Sequence, residues 1–143
     1  MKTYLAVLWS ATALAAVALA AEDKPVTVQS LPPAVVKTVP QSGDTAVDPA
    51  LKEISVTFSK DMQTERMWAI CQISDETFPG KGAGEIHYLA DKRTCVFPVK
   101  LQPGKTYVLW FNRGKFNSFR DTANNPAVPY LLVFQTKKST GYN

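Results

Sequence analysis

Leu101-Gln102-Pro103-Gly104-Lys105-Thr106-Tyr107, followed directly by Val108-Leu109-Trp110-Phe111, is the stretch that decides how this chain is read. Proline followed by glycine marks a tight turn. The turn delivers Tyr107 to the start of a run of apolar and aromatic residues suited to a buried strand. A tyrosine placed this way forms a tyrosine corner, its hydroxyl bonding back to the backbone a few residues upstream. The corner speaks to fold and hardly at all to chemistry.

Working outward, short β-branched or aromatic runs alternate with turn clusters about every 10 residues, and no helical period of useful length follows the first 21 residues. Residues 34–39 form a strand stopped by Pro40 and the turn-rich Gln41-Ser42-Gly43-Asp44. Pro33 and Pro40 suit an edge, because proline cannot donate to a ladder. Residues 52–59 alternate, with Ile54, Val56 and Phe58 on a dry face and Ser55, Thr57 and Ser59 on a wet one. Residues 66–73 give a third strand, followed by a long loop over 74–84 whose Gly80-Lys81-Gly82-Ala83-Gly84 reads as a mobile connector. Residues 85–90 and 94–101 form a hairpin across Asp91-Lys92-Arg93. The corner launches residues 106–112, a polar basic loop spans 113–129, and residues 130–136 complete the set. These strands predict an all-β fold, a seven-stranded immunoglobulin-like β-sandwich.

The N-terminus supplies the compartment. Lys2 precedes an uncharged run from Thr3 to Ala21, and Ala18-Leu19-Ala20 gives the small-x-small pattern of a cleavage site, so residues 1–21 read as a secretory signal peptide. The alternative, a membrane anchor, calls for about 20 strongly apolar residues, and this run is alanine-dominated. Cleavage leaves a flexible leader over 22–33, one sandwich over 34–137, and a frayed tail over 138–143. The expected location is periplasmic or extracellular, with no membrane association after cleavage. Removing Lys2 lowers the formal net charge of +4 by one. The remaining charges are interspersed, which argues against a nucleic-acid partner. For Cys71 and Cys95, the simplest reading in an oxidising compartment is one disulfide. The alternative is two buried free thiols.

Four segments resemble the bacterial Ig-like domain family first described in S-layer and other surface proteins. Val36-Lys37-Thr38-Val39-Pro40 with the turn to Pro49 matches its opening strand. Ile54-Ser55-Val56-Thr57-Phe58-Ser59-Lys60-Asp61-Met62 matches its second strand, Leu101 to Tyr107 its proline-glycine corner, and Asp121-Thr122-Ala123-Asn124-Asn125-Pro126 the turn before its last strand. Asn124 stands where the family often has glycine, a place asparagine fills because it tolerates positive φ. The section 68–91 carries no family mark. The resemblance implies an extracytoplasmic, non-catalytic spacer or adhesion module.

The residues themselves supply no catalytic constellation. His87 is the only histidine, so hydrolytic triads and histidine-rich zinc sites lack their parts. The chain resembles small periplasmic copper carriers in its exported sandwich form, but those bind through histidines, one of them at the mature N-terminus. Asp44, Asp48, Asp61, Asp75, Glu76 and Asp121 form no calcium-loop spacing and read as turn formers. No cofactor, no metal and no enzymatic activity is therefore expected. Strand parity points elsewhere. With Tyr107, Leu109 and Phe111 inward, Val108 and Trp110 face out, as do Leu131 and Val133 beside inward Leu132 and Phe134. If Cys71 turns inward to meet Cys95, Trp68 and Ile70 also face out. The six outward residues would form an apolar patch larger than a soluble monomer normally exposes. The alternatives put Trp68 in the core, or cover the patch with the long loop or the leader. The patch predicts a partner: a protein or polysaccharide of the cell envelope, or a second copy. Stacking on Trp68 and Trp110 would suit a carbohydrate-binding module.

Overall fold

The structure is a computed structural model that describes residues 19–20 and 22–141. Nearly all of the segment read as a signal peptide, and the last two residues of the tail, lie outside the described residues. Among the described residues eight strands occur in chain order: β1 (Val35–Val39), β2 (Glu53–Phe58), β3 (Ile70–Gln72), β4 (Gly80–Lys81), β5 (His87–Tyr88), β6 (Thr94–Lys100), β7 (Thr106–Phe111) and β8 (Tyr130–Gln135). One sheet orders β1-β2-β6, with β4 and β5 each pairing a different part of the same β6 edge. The other orders β3-β7-β8. The pairings between these strands are antiparallel.

The alternation in β2 and β7 makes the core. Ile54, Val56 and Phe58 from one sheet meet Tyr107, Leu109 and Phe111 from the other, with Leu132 and Phe134 of β8 beside them, all buried. The core also takes Phe119 from the polar loop before β8. Its ring lies 5.0 Å from Phe58 and edge-on to Phe111 at 5.9 Å. Buried Asn112 holds that loop, donating to the carbonyls of Phe119 and Ala127 and accepting from the Phe119 N–H. The tyrosine corner is closed by the Gln102 N–H, which donates to the Tyr107 hydroxyl at 2.7 Å.

The chain changes sheets after β1. The Val39-Pro40 peptide is cis, and the following segment runs along β8: the Gly43 N–H donates to the Val133 carbonyl, the Val47 N–H to Gln135, and the Lys137 N–H to Val47. One continuous stretch thus edges both layers.

Three features depart from the sequence reading. The glycine-rich stretch is held as well as turned, because Gly80–Lys81 pairs with β6 and a Cβ on Gly82 would lie 2.4 Å from the Val99 nitrogen. Only glycine permits that approach. Residues 66–73 shrink to the three of β3. The end of the leader is bonded to the domain, since Lys60 Nζ donates to the carbonyls of Gln29 and Leu31 and the Val128 N–H donates to Pro33.

Candidate functional site

In the β3-β7 ladder Ile70 faces Phe111, Cys71 faces Trp110 and Gln72 faces Leu109. Directly paired residues share a face. Phe111 is buried in the core, so Ile70 turns inward and Cys71 turns outward with Trp110. This reverses the parity expected for the third strand. Cys71 belongs to the outer side of one sheet, while Cys95 of β6 points into the core opposite Val56 in the other. Both cysteines are free, and the disulfide expected between them is absent. Burial raises the Cys95 thiol to about 12. It raises the Cys71 thiol too, with the neighbouring Arg113 guanidinium pulling the other way.

The six residues nominated for binding divide accordingly. Val108, Trp110, Leu131 and Val133 share the outer face of the β7-β8 pair, where Val108 opposes Val133 and Trp110 opposes Leu131. Trp68 and Ile70 pack against the core on the other side. The two tryptophans therefore offer no common stacking platform. Cys71 takes the vacated place. Cys71, Trp110 and Leu131 form one apolar row across all three strands. Leu131 is 37% exposed, and Ile73, just past β3, is 52% exposed.

Beside this face lies an open groove. A cavity of about 520 Å³ is lined by Ile70, Cys71, Gln72, Arg113, Lys115 and Phe116. It adjoins a second of about 470 Å³ that reaches Trp68, Phe78, Ile86 and Phe97 between the sheets. Sequence parity missed this groove. It is built from residues 68–86, which carry no clean alternation, together with Phe97 of β6 and the 113–116 loop.

Lys60 and Asp121 form a buried ion pair at 2.7 Å, with side chains 4% and 0% exposed. Asp121 also accepts from the N–H groups of Ala123 and Asn125 and from the Asn125 side chain. Desolvation raises its pKa, but the Lys60 ammonium and the Asn125 bonds outweigh it and hold the carboxyl below its ordinary range. Every one of these groups is occupied by a structural partner. Elsewhere His87 lies exposed on β5 with Nδ1 at the Glu85 carbonyl. Tyr88 donates to the Met67 carbonyl, and burial holds its hydroxyl well above the usual tyrosine range. Among the described residues no three His, Cys, Asp or Glu side chains converge as a metal would require.

The ion pair joins two of the segments that carried the family resemblance: Lys60 follows Ile54-Ser55-Val56-Thr57-Phe58-Ser59, and Asp121 opens Asp121-Thr122-Ala123-Asn124-Asn125-Pro126. Asn124 has φ 68°, the conformation for which the family often uses glycine. The comparison with curated proteins gives no match. The sequence model described as a bacterial Ig-like domain matches residues 29–136, beginning at the residue whose carbonyl Lys60 holds and ending just after β8. The chain belongs to the bacterial Ig-like domain family.

Proposed function

We propose that this protein is an exported, non-enzymatic module of the cell envelope, periplasmic or extracellular, that docks through the outer face of β3-β7-β8. The observation that carries this reading is the apolar row Cys71, Trp110 and Leu131, flanked by the Val108 and Val133 pair. A sheet of a soluble domain ordinarily turns a polar face to water. Family membership supports a surface-associated module, and the apolar start of the chain supports export. The partner is an envelope protein, because a polysaccharide platform needs coplanar aromatic rings and Trp110 stands alone on this face.

The test is retention of the purified domain by sedimented envelope of its native host. Wild type cosediments, and Trp110→Ser with Leu131→Ser loses most of the retained fraction while keeping its circular dichroism and melting temperature. Retention unchanged in the folded double variant contradicts the reading.

A further inference from the structure

The groove beside β3 belongs to a strand edge. Ile70, Cys71 and Gln72 are consecutive and point to alternate faces, so a cavity touching all three runs along the side of the strand. Hydrogen bonding shows what that side offers. The Asn112 N–H donates to the Ala69 carbonyl at 2.9 Å. Antiparallel ladders alternate, so Cys71 bonds towards Trp110, while the N–H and C=O groups of Ile70 and Gln72 point out of the sheet. No protein group among the described residues bonds them.

Edges left this way are normally blunted by lysine, proline or a covering segment. Trp68-Ala69-Ile70-Cys71-Gln72 contains neither charge nor proline. Below it the gap between the sheets is lined by half-buried Trp68, Phe78, Ile86 and Phe97, so one set of side chains from an added strand has an apolar place to go. The other set falls beside Cys71 and Trp110.

One end of the groove is basic. Arg113 and Lys115 line it, both exposed, and neither forms an ion pair among the described residues, whereas Lys60 and Arg93 do. Lys115 Nζ stands 5.3 Å above the Phe116 ring. The chain turns out of β7 at Asn112, whose φ is 61°, and Arg113 pairs with Phe116 across the turn that carries Lys115. An occupant therefore meets free backbone groups along its length, apolar side-chain places on alternate positions and two cations at one end. Strand addition to an open edge uses this combination of features.

We propose that the β3 edge captures an extended peptide segment of an envelope protein, with alternating apolar side chains and acidic residues at the end beside Arg113 and Lys115. The proposal rests on the reading of the domain as a binding module and names the partner's chemistry.

The probe is a fluorescein-labelled synthetic peptide of alternating valine and threonine, flanked at both ends by glutamates and added to the folded domain. Saturable anisotropy is expected, together with slowed amide hydrogen exchange at Ile70 and Gln72 and no change at Cys71, whose amide is already in the ladder. Arg113→Glu with Lys115→Glu should weaken binding roughly tenfold or more, and a peptide with proline at alternate positions should not bind. Unaltered exchange at Ile70 and Gln72, or equal binding by the charge-reversed variant, overturns the proposal. Envelope retention that still depends on Trp110 and Leu131 would then leave the binding-module reading standing without the edge.

Discussion

Cys71 stands directly across the β3-β7 ladder from Trp110, and that pairing puts the cysteine on the outer face, away from Cys95 in the core. Protein purified without reductant is therefore expected to contain two free thiols. Thiol titration should find Cys71 slowly reactive in the native state and Cys95 reactive only after unfolding, because burial lifts its thiol to about 12. Cys71→Ser should change stability by no more than about 0.5 kcal/mol. Cys95→Ser buries a hydroxyl and should cost about 1–3 kcal/mol. A Cys71 to Cys95 bond in non-reducing peptide mapping would contradict the register.

The Lys60 and Asp121 ion pair should show itself in acid. The folded pKa of Asp121 is lowered, so its contribution to stability is present in full above its unfolded pKa of about 4 and is lost as pH falls through the folded value. Denaturant midpoints measured from pH 6 down to pH 2 should fall for wild type and fall less for Asp121→Asn. Lys60→Ala leaves a buried carboxylate without its cation and should cost about 3–5 kcal/mol at neutral pH. Replacing both partners, as Lys60→Met with Asp121→Leu, should recover much of that loss.

Tyr107→Phe removes the acceptor for the Gln102 N–H while keeping the ring against Phe134. The expected cost is about 1–2 kcal/mol in chemical denaturation, with strand content unchanged. No loss would mean that the corner bond is replaced by water.

Gly82→Ala tests the close approach of the glycine-rich stretch to β6. The added methyl meets backbone at Pro98 and Val99, which cannot yield as a flexible side chain would. Stability should drop by about 1–3 kcal/mol, and the Gly82 amide, which donates to the Pro98 carbonyl, should lose protection from exchange.

The parts of the fold legible in the sequence are those where one strand face is dry and the other wet. Ile54, Val56 and Phe58 announce their face by alternation, as do Tyr107, Leu109 and Phe111. Residues 68–73 are apolar at nearly every position, so parity there has no internal signal and rests only on Cys71 meeting Cys95. The ladder, set by Phe111 and Trp110, decides otherwise. β4 was invisible because glycine and lysine carry no strand preference and its pairing depends on the backbone of β6. Phe119 was concealed in a polar loop, since its burial follows from Asn112 bonding that loop at both ends. Of the candidate face, Val108, Trp110, Leu131 and Val133 could be placed together from two alternating strands. The groove could not, because it needs three segments brought together by the fold.

Photo-crosslinking from the two sheets tests the central claim most directly. The domain carries a benzoylphenylalanine at Leu131 or, as a control, at Val36, which is 63% exposed on β1 of the other sheet. Each form is irradiated in intact cells of the native host. Docking through the β3-β7-β8 face predicts a discrete crosslinked protein from position 131 that disappears with Trp110→Ser, and none from position 36. Equal crosslinking from both positions, or none from position 131 in a folded and exported protein, contradicts it.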